Sequence, residues 1–189
     1  MTMKSLSKNR GLTLMEMMVT LMILGLIATL GAPNLSEFIE DNRLNAAVGD
    51  LVSSIQAGRA EAVGRNAYVT LCKKNAGSTA CVAGGGWQQG WITFVDVDGD
   101  GVIDAGDGDE IVAIHDALLG SVTLHGTAGV ANLITFRPSG QTSIITMQAI
   151  IACDSRGFVS DSKGMVISIM GRASTMSAAD TGQTSCLTS

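Results

Sequence analysis

Hydrophobic residues dominate the start of the chain. Residues 12–32 read LTLMEMMVTLMILGLIATLGA, a run of 21 residues in which Glu16 carries the only charge. About 20 apolar residues are enough for an α-helix to cross a bilayer. The run therefore predicts a membrane-spanning helix over residues 12–32, preceded by a leader over residues 1–11.

After Pro33 the pattern becomes that of an amphipathic helix, with polar residues on one side and apolar residues on the other. The apolar positions recur at spacings of four, three and four residues, at Leu44, Val48, Leu51 and Ile55. This spacing is that of one helix face. We expect residues 33–66 to continue the N-terminal helix to about Arg65.

From residue 67 onward the sequence pattern is typical of β-strands. Short segments rich in Val, Ile, Thr and aromatic residues alternate with Gly, Asp and Asn, which break them up. The predicted strands are 67–72, 90–97, 110–114, 121–125, 133–137, 143–153 and 164–170. A long helix packed on a mostly antiparallel sheet gives an α+β fold, in which residues 67–189 form a β-rich globular domain.

Charge predicts the direction of membrane insertion. Lys4, Lys8 and Arg10 precede the apolar run, and basic residues of this kind stay on the cytoplasmic side. The remainder of the chain then faces the periplasm or the exterior. The whole chain has a net charge of -5, so nucleic-acid binding by bulk charge is excluded and would need a local basic patch.

Glu16 indicates where the chain is cut. An ordinary signal peptide is cleaved after its apolar core, but this run is long for such a peptide. A carboxylate inside an apolar helix is costly and is usually functional. Cleavage between Gly11 and Leu12 creates an α-ammonium on Leu12, about one helical turn from Glu16. This cation, in the same or a neighbouring subunit, would offset the cost and set the axial register of packing.

The sequence KNRGLTLMEMM closely resembles the type IV prepilin motif. The resemblance implies that a prepilin peptidase cuts after Gly11 and methylates the new N-terminus at Leu12. It also implies that Glu16 directs assembly with other pilins. The chain departs from the motif at Leu12, where the family usually has Phe, and Pro33 falls where many pilins bend.

The rest of the chain resembles the GspH/FimT minor pilins and pseudopilins. The matching segments are IQAGRAEAVGRN, GWITFVDVDGDG, CDSRGF and MGR. This implies a minor pilin that starts in the inner membrane with a periplasmic C-terminal domain. It is then expected to enter a type IV pilus, which it primes or caps, and to support pilus assembly, adhesion, motility or DNA uptake. A pseudopilin of a type II secretion system is the alternative.

Some FimT proteins bind DNA through a C-terminal Gly-Arg-x-Arg motif, which makes DNA a third candidate partner. Residues 171–174 read Gly-Arg-Ala-Ser, so the second Arg is missing. Arg156, Lys163 and Arg172 are the candidate phosphate-binding residues. The acidic chain weighs against this function, and surface ion pairs are the alternative role for these residues.

Four cysteines indicate two disulfides in an oxidising compartment. Cys72 and Cys81 flank a loop-like stretch nine residues apart, which favours this pair and leaves Cys153 with Cys186. Four cysteines allow three pairings, so crossed pairings stay open.

The stretch 96–110 is rich in Asp and resembles a calcium loop. Asp96, Asp98 and Asp100 occupy its positions one, three and five, while Asp104 and Asp107 occupy positions nine and twelve. A hard cation would relieve the repulsion among these carboxylates. The alternative is a solvated acidic hairpin, since a predicted strand precedes the loop and no helix follows it.

Enzymatic activity has little support in the sequence. His115 and His125 are the only histidines, and no GxSxG, HExxH or P-loop motif is present. We expect a structural protein without catalytic residues, for which calcium is the single cofactor to consider.

Overall fold

The computed structural model describes residues 11–104, 106–158 and 162–186, with backbone alone for residues 28–34. The basic residues Lys4, Lys8 and Arg10 and the side chain of Pro33 therefore lie outside the described part. Residues 1–39 and 40–189 form two separate compact units. Among the described residues, no helix combines the length and the mean hydropathy that a membrane crossing requires.

Helix α1 runs from Leu14 to Arg65. Its end follows a local signal: Asn66 has a left-handed φ of 53°, and the N–H of Ala67 donates to the carbonyl of Ala62 at 3.2 Å. This is the hydrogen bond of a Schellman helix terminus, which Asn tolerates better than most residues. The predicted end of the helix near Arg65 is therefore confirmed.

In the described part of the chain, two four-stranded sheets follow the helix, and every strand pair is antiparallel. The first sheet has the order β3-β2-β1-β5 and the second β4-β6-β7-β8. The strands are β1 Val69–Lys73, β2 Trp91–Val95, β3 Glu110–His115, β4 Thr123–Gly126, β5 Leu133–Phe136, β6 Gln148–Cys153, β7 Lys163–Ile167 and β8 Ala173–Ser177.

The core of the larger unit lies between α1 and both sheets. The predicted apolar face of the helix is buried, and it packs with Leu71 and Phe136 of the first sheet and Ile150 and Met165 of the second. Burying a large apolar side chain contributes about 1.5–3 kcal/mol each. The face consists of Leu44, Val48, Leu51 and Ile55. The α+β fold with antiparallel strands is confirmed, although the strands divide into two sheets rather than one.

Two details of the strand prediction are wrong. Residues 143–147 were expected to start a long strand, but β6 begins only at Gln148, and Ile145 is 88% exposed. Strand β8 was not predicted, because Ala173–Ser177 lacks the run of branched residues that marks a strand.

The disulfides are Cys72–Cys81 and Cys153–Cys186. This is the pairing that the spacing favours. The second bond fastens the C-terminal segment to strand β6.

Candidate functional site

The start of helix α1 is closed by a reciprocal cap. The Glu16 carboxylate accepts hydrogen bonds from the Thr13 backbone N–H at 2.9 Å and from the Thr13 hydroxyl at 3.0 Å. The Thr13 hydroxyl in turn accepts from the Glu16 N–H at 3.2 Å. This is a capping box, which satisfies two of the backbone donors left free at a helix start.

The cap assigns Glu16 a role that our sequence reasoning missed. The signal was present, because Thr-Leu-Met-Glu fits the spacing of a capping box. The N–H of Thr13 already donates to the Glu16 carboxylate. The backbone nitrogen of Leu12 is one residue earlier, so the chain keeps it near the same carboxylate. An α-ammonium formed at Leu12 would thus appear next to a carboxylate.

The junction between Gly11 and Leu12 is accessible. Residues 11–13 precede the helix and have no regular structure, and Leu12 is 75% exposed. A Cβ built on Gly11 would meet nothing within 4 Å. The backbone here is therefore open to another protein, and the fold itself places no demand on glycine at position 11.

The first turns of α1 present apolar side chains on all sides. The side chains of residues 12–27 are exposed, among them Leu14 at 81% and Met22 at 72%. Contiguous exposed apolar surface of this kind marks an interaction site or a membrane contact. The segment needs lipid or neighbouring helices to cover it.

The acidic loop connects strands β2 and β3. Oxygen atoms of Asp96, Asp98 and Asp100 come within 4.8 Å of one another. Gly101, which has a φ of 79°, closes the turn, and a Cβ there would lie 2.9 Å from a methyl group of Leu133. Glycine is therefore favoured by its backbone angle, whereas the Leu133 side chain could turn to admit a Cβ.

The buried carboxylate of this loop, that of Asp96, already accepts hydrogen bonds from the protein. Asp96 accepts from the Thr70 hydroxyl at 2.6 Å and from the amides of Gly99 at 2.8 Å and Gly101 at 3.1 Å. Burial nevertheless raises the pKa of Asp96 above its ordinary value. The three carboxylates could hold a hard cation, and calcium binding here stays a prediction.

The other two predicted calcium ligands lie in the next turn of the loop. The Asp104 carboxylate accepts from the Asp107 N–H at 3.0 Å. The pKa of Asp107 is raised, first by the charge of Asp104 and then by that of Asp98. Among the described residues, neither belongs to the group of carboxylates that converges on Asp96.

The predicted basic residues separate into two environments. Arg156 is held inside an ion-pair network, with Nη2 at 2.6 Å from Asp154 and 2.7 Å from Asp41. The guanidinium lowers the pKa of Asp154. Lys163 and Arg172 instead line open depressions beside strand β8. The structure does not bring Arg156 together with them in one lining.

Two adjacent lysines that the sequence analysis passed over are buried. Lys73 Nζ donates to the carbonyls of Gly85 at 2.6 Å and Ala83 at 3.1 Å, and burial lowers its pKa. Lys74 pairs with Asp116 at 2.9 Å. These contacts tie loops to strand β1, so both lysines have structural roles in the described chain.

Comparisons with known proteins identify two matching family models. The model for the type II transport protein GspH matches residues 47–171, and the model for the prokaryotic N-terminal methylation motif matches residues 6–32. No curated protein sequence matches the chain.

The fold is similar to that of the type IV minor pilin FimU from Pseudomonas aeruginosa. One crystal structure of FimU has a TM-score of 0.55 and 21% identity, covering 75% of this chain and 94% of FimU. A second crystal form has a TM-score of 0.51 and 19% identity, covering 71% and 94%. At this identity the likeness establishes the fold.

Proposed function

Because the chain belongs to the family of the type II transport protein GspH, we propose that it is a minor type IV pilin. Its family is structural rather than enzymatic. The observation that carries the proposal is the exposed Gly11–Leu12 junction, placed directly before the capped start of α1. The match of residues 6–32 to the methylation motif supports the same processing.

In this proposal the N-terminus is made by proteolysis. The prepilin peptidase cleaves the peptide bond after Gly11, which leaves an amino group on Leu12, and the same enzyme methylates that nitrogen. The amine is protonated at neutral pH. The leader 1–11 is lost together with its three basic residues.

Glu16 then becomes the assembly residue. An isolated carboxylate in lipid is costly, whereas a carboxylate next to an ammonium gains from a low dielectric, where charges attract more strongly than in water. The ammonium can come from the same subunit or from a neighbour in the filament. Pairing with a neighbour would fix how far one helix slides past another.

The N-terminal segment and the β-rich domain have different roles in the filament. Residues 12–32 hold the precursor in the inner membrane, with the globular domain in the periplasm, and later pack among neighbouring helices. The β-rich domain then lies on the filament surface. We assign the chain to a minor position that primes or caps the pilus, since the similar FimU structures are those of a minor pilin.

A pseudopilin of a type II secretion system is the second candidate. It is favoured by the name of the matching family model, the type II transport protein GspH. The mechanism of processing and assembly is the same in both cases. The two are separated by locating the tagged chain, since a pilin enters surface pili and a pseudopilin stays in the periplasm.

DNA binding during transformation is the weakest candidate. Arg156 is engaged by Asp41 and Asp154, which leaves Lys163 and Arg172 as the predicted phosphate contacts. Retention of DNA by the protein at low salt, lost on Arg172→Ala, would support it.

The mass of the intact membrane-extracted protein tests the proposal. We expect a chain that begins at Leu12, carries one methyl group and contains two disulfides. Gly11→Ala should leave the full precursor, because the peptidase loses its glycine while the fold is unaffected. Gly25→Ala is the matched control, since a Cβ there also meets nothing within 4 Å, and it should be trimmed normally.

Assembly is tested separately with Glu16. Glu16→Ala should be trimmed but absent from sheared filaments. A purified protein that still begins at Met1, or an alanine variant that enters filaments as well as the wild type, would contradict the proposal.

A further inference from the structure

The second sheet has one edge, at strand β8, that no other described strand covers. Strand β8, Ala173–Ser177, is last in the order β4-β6-β7-β8, and among the described strands it pairs with β7 alone. In an antiparallel pair, every second residue turns its N–H and C=O toward the neighbour and the others turn outward. No strand in the described part of the chain therefore binds the outward groups of β8.

Among the described residues, the opposite edge of the same sheet, at strand β4, is covered in part by a side chain, whereas the edge at β8 is not. At strand β4 the N–H of Leu124 donates to the side chain of Gln88 at 2.8 Å. Natural proteins usually cover or blunt an edge in this way, because an exposed edge is a template for another chain.

Two depressions lie between α1 and β8, one beside residues 171–174 and the other beside residues 175–177; together we call them the β8 groove. Its first part, about 740 Å³, is lined by residues 171–174 and by five residues of the helix, Gln56, Arg59, Ala60, Val63 and Gly64. Its second part, about 370 Å³, is lined by residues 175–177 and Lys163 and by Asn45, Val48 and Gly49 of the helix. The chain segment 171–177 would extend over roughly 23 Å at a strand rise of about 3.3 Å per residue.

One wall of this β8 groove is closely packed at its wide end. Arg59 Nε donates to the carbonyl of Gly140 at 2.9 Å. Gly171 has a φ of 76°, and a Cβ there would lie 2.2 Å from the same carbonyl oxygen. The turns that contain Gly140 and Gly171 therefore fit against each other, and the groove has a defined shape.

The groove is basic although the chain is acidic. Arg59 and Arg172 line the first part and Lys163 lines the second, and no Asp or Glu belongs to either described lining. The net charge of the whole chain is -5. A ligand with carboxylate side chains would be complementary to this surface.

We infer that the β8 groove receives an extended, acidic segment of another filament subunit, which pairs with β8 as a fifth strand. Backbone hydrogen bonds would supply the affinity, and the carboxylates of alternate residues would supply selectivity. A nucleic acid fits less well, because it cannot satisfy a strand edge and the described lining contains no aromatic residue for base stacking. That the partner is a filament subunit rests on the proposed function.

The test uses the detergent-extracted full chain and a fluorescent peptide of about seven residues with alternating Val and Glu. Two control peptides separate the contributions. One has N-methyl groups on alternate backbone amides and keeps its charge, and the other has Lys in place of Glu. Binding is followed by anisotropy, and hydrogen exchange reports the amides of residues 173–177.

We expect the acidic peptide to bind and to slow exchange in β8, and both control peptides to bind more weakly. The double variant Lys163→Glu/Arg172→Glu should weaken binding by about tenfold. The exposed Arg137 lies outside the groove, so Arg137→Glu, which changes the charge in the same sense, should stay within about twofold.

Three results would overturn the inference: no binding of the acidic peptide, binding that leaves exchange in β8 unchanged, or a short DNA duplex that binds instead and shows the same loss in the double variant. The intact mass of the wild-type chain used in this assay separates this inference from the proposed function. A wild-type chain that is trimmed and methylated but does not bind the peptide would refute only the groove.

Discussion

Replacing Arg156 by methionine tests whether this residue is structural rather than a ligand-binding cation. Its side chain makes three bonds: Nε and Nη2 donate to Asp154 Oδ2 at 2.9 and 2.6 Å, and Nη2 donates to Asp41 Oδ1 at 2.7 Å. The Asp154 side chain is 1% exposed and that of Asp41 is 42% exposed. The network joins helix α1 to the turn after β6.

The two carboxylates contribute unequally to the expected loss. An exposed pair such as that with Asp41 is worth about 0–1 kcal/mol. Removing the partner of a buried charge costs about 3–5 kcal/mol when the group stays dry. Here Asp154 keeps the Arg156 backbone N–H at 2.8 Å, and the vacated space admits water. We therefore expect a total loss of about 2–3 kcal/mol.

The assay is thermal unfolding of the full chain in detergent at pH 7, followed by the fluorescence of the buried Trp87 and Trp91. A loss of this size should lower the melting temperature by roughly 5–10 °C for a domain of this length. Arg172→Met is the matched control, because its side chain lies on the open groove, and it should change little.

The pH dependence gives a second, sharper readout. In the wild type Arg156 lowers the pKa of Asp154, so the stability from this pair is complete above the unfolded carboxyl pKa of about 3.9 and is lost as pH falls through the folded value. In the Arg156→Met variant, Asp154 is buried without a neighbouring cation, and burial then raises its pKa. Acidification from pH 7 toward about 4 should then stabilise the variant relative to the wild type.

Adding Asp154→Asn to the Arg156 variant should recover part of the loss, because no buried charge remains. The reasoning would be refuted if Arg156→Met melted within about 1 °C of the wild type. It would also be refuted if acidification changed the stability of the variant and that of the wild type equally.

Two further predictions concern the disulfides and the acidic loop. Replacing Cys153 and Cys186 by alanine opens the longer loop, with a sequence separation of 33 against 9 for the other bond. It should cost about 4 kcal/mol in urea unfolding against about 3 for the shorter loop, and a larger loss for the shorter loop would contradict this estimate. Calcium at 100 times its dissociation constant should stabilise the chain by about 2.7 kcal/mol if the loop binds it. An unchanged melting curve at millimolar calcium, or an equal rise in Asp98→Asn, would leave an acidic hairpin without a cation.

Local patterns were enough to predict several elements of the fold. The face of α1 that includes Leu44 and Ile55 is buried as its period requires, since a helix brings every third or fourth residue to the same side. The N-terminal motif and the family resemblance followed from a few adjacent residues and are confirmed by the family models. The capping box of Thr13 and Glu16 was also readable but was overlooked.

The strand errors show where local patterns fail. Residues 143–147 have strand-forming side chains, yet Ile145 points to solvent because β6 finds its partners only from Gln148 onward. Strand β8 has weak propensity and forms because β7 offers it an edge to pair with. Strand propensity depends mainly on such neighbours rather than on the backbone itself.

The sequence by itself determined the long amphipathic helix, the candidate cleavage site and the antiparallel α+β class, because each depends on neighbours a few residues apart. Only the tertiary structure decided that Arg156 donates a hydrogen bond to Asp41, 115 residues away, and that β8 lies at an open edge of its sheet. It alone placed Lys163 and Arg172 beside helix α1. These relations depend on which distant segments fold against each other, and no local spacing encodes that choice.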